Sequence, residues 1–223
     1  KYAEAVVLDP DVAPNLCVPG KAEVAEIVAK LTGKIAEATE PKFAHVKCRG
    51  GNGIAKLAYE YKGVHDCAAA KIIQQGPKFC KFGCLGFGNC TRSCPFGAMH
   101  MGEDGLPVID KRLCTGCGKC ASICPNHVIE LLPISAKVAI SCSSKDFGAP
   151  AMKNCKALCL GCGSCMRNCS HQEEGAIKII DHLAVVNQDI CHTCDNATCL
   201  TKCPTGAINE MIKGSFKKEE NVG

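Results

Sequence analysis

Residues 114–125 read Cys-Thr-Gly-Cys-Gly-Lys-Cys-Ala-Ser-Ile-Cys-Pro, which spells C-x2-C-x2-C-x3-C-P. Thiolates suit soft metal centres, and three of them within seven residues can hold three corners of an iron–sulfur cubane. The proline turns Cys124 away from the other three, so that it serves a partner cluster, and the motif predicts a mate elsewhere in the chain. Two other uses of cysteine compete with this one. A zinc site pairs two separated C-x2-C knuckles, and a disulfide framework needs an oxidising compartment. Recurrence of the pattern favours iron–sulfur.

The mate lies in residues 76–99. Cys84 aligns with Cys114, Cys90 with Cys120 and Cys94-Pro95 with Cys124-Pro125 at identical separations, while Phe87 stands in the place of Cys117. Cys80 is read as the missing ligand, against the plainer alternative of a packed thiol. Gly83, Gly86 and Gly88 let the backbone approach the sulfurs and aim N–H groups at them. The layout then repeats. Cys159, Cys162, Cys165 and Cys169 restore the spacing with Ser170 in place of proline, and Cys191, Cys194, Cys199 and Cys203-Pro204 follow with two extra residues after Cys194. Crossing over within each copy gives four 4Fe-4S clusters. Cys80, Cys84 and Cys90 join Cys124; Cys114, Cys117 and Cys120 join Cys94. In the second copy Cys159, Cys162 and Cys165 join Cys203, and Cys191, Cys194 and Cys199 join Cys169. Cys17, Cys48, Cys67, Cys142 and Cys155 remain. They are either buried free thiols or, Cys17 apart, the ligands of one further cluster between the copies.

The elements that must position these residues are short. Lys21 to Leu31 reads as a helix with Val24, Ile27, Val28 and Leu31 on its core face and Gly33 as C-cap. Strands are expected at 43–48, 106–110, 138–141 and 184–186, a turn at 50–53, and a helix opening at Cys67. The pairs Ala98-Met99, Val128-Ile129, Ala176-Ile177 and Ala207-Ile208 should pack under the clusters. The expected fold class is α+β: two tandem two-cluster ferredoxin-like modules at 41–133 and 134–212, after a helical segment at 1–40 and before a charged tail at 213–223.

With 21 cysteines, 22 glycines and no tryptophan in 223 residues, the apolar core is modest. Cluster ligation must then supply much of the folding free energy, and the metal-free chain should be largely unfolded. The odd cysteine count, the metal-loop spacings and the lack of a signal peptide predict a reducing, cytosolic setting. A net charge of +4 without basic runs among aromatics gives no case for nucleic acid. No apolar run approaches the ~20 residues of a spanning helix. No catalytic triad, paired carboxylates or nucleotide loop declares itself, and His192 reads as a surface residue. The chain is expected to carry electrons without reducing NAD itself.

Further stretches carry a resemblance: Tyr-Ala-Glu-Ala-Val at 2–6, Cys-Val-Pro-Gly at 17–20, Val46-Lys47-Cys48, Asp66-Cys67 with three alanines after it, Cys84-Leu85-Gly86-Phe87-Gly88 and Cys94-Pro95-Phe96. Together with the cluster motifs, the sequence resembles the B subunit of the Rnf complex, the ion-translocating ferredoxin:NAD oxidoreductase, in its long polyferredoxin-like form. In that family a membrane helix and a C-x2-C-x4-C motif precede the first of these stretches. The resemblance therefore implies that Cys17 belongs to a further cluster whose other ligands are missing here, and that Lys1 is a truncation point or the start of the ordered part. It also implies electrons accepted from reduced ferredoxin, transfer to flavin-bearing and membrane subunits, and a place on the cytoplasmic face of the cell membrane, reached through partner subunits or the missing helix. Lys78, Lys81 and Arg92, or Lys153, Lys156 and Arg167, are candidates to meet an acidic ferredoxin. Two alternatives stand beside this: a soluble polyferredoxin serving another oxidoreductase, and a redox enzyme with an open iron at the position of Phe87.

Overall fold

The computed structural model describes residues 1–37 and 40–211; the expected charged tail lies outside the described residues. The chain opens with helix α1 (Tyr2–Leu8), a single 3-10 turn at Val18–Gly20, and helix α2 (Lys21–Thr32). Gly33 closes α2 in the left-handed conformation at φ 67°, as its lack of a Cβ permits. The buried face of α2 is not the expected one. Ala25 and Ala29 are buried, whereas Ile27 and Leu31 are 58% and 81% exposed. Val24 and Val28 are half-buried beside them, so the buried face is turned away from Ile27 and Leu31 towards the alanines.

Strand β1 (Lys42–Val46) and helices α3 (Cys67–Ile72) and α4 (Asn89–Arg92) lead to a hairpin of β2 (Met99–Met101) and β3 (Pro107–Ile109). Helix α5 (Lys119–Ile123) precedes β4 (Ile129–Pro133), which returns to pair antiparallel with β1, Ala44 facing Leu131. The second part repeats the nesting. Strand β5 (Val138–Ile140) and helices α6 (Gly148–Asn154) and α7 (Ser164–Arg167) lead to the hairpin β6 (Ile177–Ile180) and β7 (Leu183–Val186). Helices α8 (Gln188–Cys191) and α9 (Thr198–Thr201) follow, and β8 (Ile208–Glu210) pairs with β5. The molecule is thus a ferredoxin-like mixture of short helices and strands.

Every sheet among the described residues has two strands, and an isolated two-stranded ribbon is marginal in water. What lies beneath them is thin: Val128, Ile177 and Val138 are the largest fully buried side chains, each worth about 1.5–3 kcal/mol. Ala98, Met99, Val128, Ile129, Ala176, Ile177, Ala207 and Ile208 are all buried. Cysteines fill much of the rest of the core.

The two parts meet along a seam. The imidazole Nε2 of His45 lies 3.4 Å from the Ser141 hydroxyl, and the Ser143 hydroxyl donates to the Lys47 carbonyl at 2.8 Å. Arg49 donates to the Gly206 carbonyl, and Ala55 bridges Cys155 antiparallel. Residues 49–56 therefore reach from the first part into the second.

Candidate metal centres

Four cavities are each lined by four cysteines. One gathers Cys94, Cys114, Cys117 and Cys120 beneath Ala98, Met99 and Leu131. A second gathers Cys67, Cys84, Cys90 and Cys124 beside Leu85, Val128 and Ile129. A third, on the seam, takes Cys48 and Cys80 from the first part and Cys142 and Cys155 from the second. A fourth holds Cys169, Cys191, Cys194 and Cys199. Cys165 completes a fifth quartet, since Cys159, Cys203 and Cys162 all act on its thiol. The structure thus brings Cys124 to Cys84 and Cys90, Cys94 to Cys114, Cys203 to Cys165, and Cys169 to Cys191.

Cys80 and Cys67 sit opposite to expectation. The motif spacing places Cys80 beside Cys84, Cys90 and Cys124, but the chain turns after it. The Asn126 amide pins that turn by donating to the carbonyls of Lys81 and Gly83 at 3.3 and 2.7 Å, and the Cys80 sulfur faces Cys48 of its own part and Ser144 and Asp146 across the seam. Cys67 takes the vacated place. Asp66 caps α3 by accepting from Ala69 N at 2.9 Å. The Asn89 amide donates to the Asp66 carboxylate at 2.6 Å, while its carbonyl accepts from Cys67 N at 3.0 Å. Buried Asn89 thus clamps the start of α3 onto the motif loop. The signal was present in the sequence: Asn89 stands where the second motif has Lys119.

In three of the four motifs the loops that carry the first thiols turn on left-handed glycines, Gly86 and Gly88, Gly116 and Gly118, and Gly161 and Gly163; the loop from Cys191 to Cys199 has none. At Gly116, φ 70°, a Cβ would lie 2.4 Å from the Lys42 carbonyl; at Gly161, φ 60°, one would lie 2.5 Å from the His182 carbonyl. Each loop therefore packs bare backbone against a neighbouring strand or turn. On the seam, a Cβ at Gly83 would stand 3.6 Å from the sulfurs of both Cys48 and Cys80, and one at Gly50 would stand 3.4 Å from that of Cys155. The glycines leave the space between these thiols open.

Burial sets the electrostatics. Desolvation pushes Cys84 and Cys199 up to about 12, and Cys90, Cys120, Cys142 and Cys165 up to about 11, with neighbouring thiols adding to the shift. Cys80, Cys155 and Cys191 also rise, through burial first. Burial alone would raise Cys203 too, but hydrogen bonds from Ile208, Thr205 and Ala207 hold it below the ordinary thiol value. Such quartets ionise only against compensating positive charge, which metal supplies as the protons leave. All 21 cysteines are free thiols. Four thiols around an apolar, glycine-cleared space, with backbone N–H groups on the sulfurs, fit a 4Fe-4S cluster.

The quartets form a line. Cys90 feels Cys67 and Cys124 in its own quartet and Cys120 in the Cys94 quartet. The backbone N–H of Cys84 donates to the Cys48 sulfur at 3.3 Å, linking the second quartet to the one on the seam. Cys142, on the seam, takes a hydrogen bond from the Cys159 backbone. Cys199 feels Cys165. Cys17 stands apart, in a groove shared with Lys21, Glu37, Glu40 and Thr115 and with no second cysteine.

The candidate docking lysines also divide. Lys78 is buried and belongs to the seam cavity, so it drops out of any surface patch. Lys81 donates to the carbonyls of Gln74 and Gly76, and Arg92 to those of Phe87 and His65 and to Asn89. Lys153, Lys156 and Arg167 are exposed, and Cys162 is the one exposed cysteine of the 21. No helix among the described residues is long and apolar enough to cross a membrane.

Residues 83–129 match the 4Fe-4S dicluster domain family. The chain is 55% identical over 220 residues to the B subunit of the proton-translocating ferredoxin:NAD(+) oxidoreductase complex of Clostridium ljungdahlii, a match covering 99% of this chain and 76% of that protein. It is 39% identical to the B subunit of the ion-translocating oxidoreductase complex of Methanosarcina acetivorans, over 92% of this chain and 76% of that one. To the B subunit of the Na(+)-translocating ferredoxin:NAD(+) oxidoreductase complex of Acetobacterium woodii it is 38% identical, over 90% of this chain and 59% of that one.

Proposed function

Because the chain belongs to the B subunits of Rnf-type ion-translocating ferredoxin:NAD(+) oxidoreductase complexes and is an iron–sulfur electron-transfer subunit of them, we propose that it works as a wire of five 4Fe-4S clusters. The observation that carries this reading is the unbroken line of quartets: Cys94, Cys114, Cys117 and Cys120; Cys67, Cys84, Cys90 and Cys124; Cys48, Cys80, Cys142 and Cys155; Cys159, Cys162, Cys165 and Cys203; Cys169, Cys191, Cys194 and Cys199. The two tandem two-cluster modules, 41–133 and 134–212, are joined by the middle cluster. When bound, each cluster takes up and releases one electron.

The chain's own residues do the rest. Cysteines fix the spacing, the four buried apolar pairs exclude water beneath the motif centres, and the Cys84 N–H of one quartet touches the Cys48 sulfur of the next. The electron donor is reduced ferredoxin. It docks on the second module, where Cys162 reaches the surface and Lys153, Lys156 and Arg167 offer positive charge to an acidic partner. Electrons pass on to other subunits of the complex, flavin-bearing and membrane-embedded ones included, at the cytoplasmic face. Cys17 serves a further cluster completed outside this chain's described thiols. With Cys67 in the second quartet, the vacancy at Phe87 no longer motivates an open catalytic iron.

Anaerobic stopped-flow reduction by ferredoxin tests the reading. Charge reversal at Lys153, Lys156 and Arg167 should slow reduction and flatten its dependence on ionic strength. An unchanged rate and salt dependence would remove this surface as the entry point.

A further inference from the structure

Lys78 is a charge in an unusual place. Its side chain is 7% exposed and lines the seam cavity with Cys48, Cys80, Cys142 and Cys155. The ammonium donates to the Gly50 carbonyl at 2.6 Å, and among the described residues no carboxylate stands within ion-pair distance of it. Its charge acts on Cys155 of the seam quartet and on Cys84 of the neighbouring one. Asp146 is the carboxylate that acts on the quartet, through Cys80. A buried, unpaired ammonium is costly unless something anionic compensates it. Four neutral thiols cannot do so, whereas a thiolate-bound iron–sulfur cluster carries net negative charge.

The other quartets lack this arrangement. Lys137 is the nearest analogue, beside the Cys191 quartet, but it is partly exposed, donates to the Cys194 carbonyl and has the Asp195 carboxylate at 3.8 Å. The seam quartet also has a dense set of hydrogen bonds. Cys48 accepts from Cys84 N, Cys142 from Ser144 N at 3.4 Å, and Cys80 and Cys155 from backbone groups at Phe82 and Ala157. Net charge and hydrogen bonds to sulfur are two of the levers that set cluster potential.

We propose that Lys78 is the internal counter-ion of the seam cluster and raises its reduction potential above those of the clusters on either side. One-electron reduction by a low-potential donor adds a negative charge beside the ammonium and is favoured there first. The middle of the wire then becomes the place where an electron crossing between the modules comes to rest.

This inference rests on the reading that the seam quartet holds a cluster, and the two can fail separately. The test is an anaerobic potentiometric titration followed by EPR on the full chain, with iron and sulfide measured on the same samples. The seam signal is identified as the one absent from Cys142→Ala. In Lys78→Met, its reduced-to-oxidised ratio at a fixed poise should fall about tenfold or more, which is about 59 mV for a one-electron couple. Lys78→Arg should keep the wild-type value, and Lys178→Met, an exposed control away from the seam, should leave it unmoved. Loss of the cluster from Lys78→Met but not from Lys78→Arg would equally support a counter-ion. Loss from both, or a full iron complement with an unmoved potential, would overturn it. A wild-type chain with about 16 iron atoms would instead remove the seam cluster, and the inference with it.

Discussion

Pairwise cysteine replacement can decide which thiols share a centre without a view of the clusters themselves. Twenty cysteines in five quartets hold about 20 iron atoms per chain, so any single ligand-to-alanine change should leave about 16. Two changes within one quartet should still leave about 16, and two in different quartets about 12. Cys80 and Cys142 line the same cavity, while Cys67 lines that of Cys84, Cys90 and Cys124. The double variant Cys80→Ala with Cys142→Ala should therefore hold about 16, and Cys67→Ala with Cys142→Ala about 12. The motif spacing alone gives the reverse, because it places Cys80 beside Cys84 and leaves Cys67 to join Cys142. Cys17→Ala should stay at about 20. Anaerobic iron and acid-labile sulfide determination on reconstituted chains is the assay. The reversed pair of counts would refute the quartets, as would single variants that lose no iron.

Three other outcomes are expected. Gly86 and Gly88 adopt the same left-handed turn as Gly116 and Gly118, so Phe87→Cys should aim a thiol as Cys117 does; added to Cys67→Ala, it should return the iron count from about 16 to about 20. Burial at the seam pushes the His45 imidazole down to about 4 from 6.5. The neutral ring's contribution is therefore intact above 6.5 and lost as pH falls from there towards 4, at about 1.4 kcal/mol per unit. Urea unfolding at about pH 7.5 and about pH 5.5 should cost wild type about 1.4 kcal/mol more than His45→Asn, and equal losses would be contrary. Stripping iron anaerobically with a chelator should abolish most far-ultraviolet circular dichroism structure, since two-stranded ribbons over so thin a core do not stand alone; a native spectrum without iron would contradict this.

The motifs made most of the site legible because cluster ligation is a local affair: three thiols within seven residues need only a loop with glycines in the left-handed region. Three things were not local. The choice between Cys67 and Cys80 depends on Asn89 reaching Asp66 and on Asn126 pinning the turn after Cys80, side-chain contacts across 23 and 43 residues. The face of α2 departs from its pattern because hydrophobic periodicity assumes that the larger side chains go inside, and here Ala25 and Ala29 are the buried ones. The long pairings of β1 with β4 and β5 with β8 are likewise tertiary facts that three- to five-residue strands do not announce.

A centre that takes Cys48 and Cys80 from one part and Cys142 and Cys155 from the other has a consequence for how the molecule is made and how it fails. During synthesis the first two thiols emerge long before their partners, so this cluster cannot be closed until the chain has grown past Cys155. Until then two reduced cysteines and a buried-to-be lysine wait without company. The cluster proposed there would add to the hydrogen bonds that already hold the halves together, so oxidative loss of its iron would cut the conducting path and loosen the joint in one event.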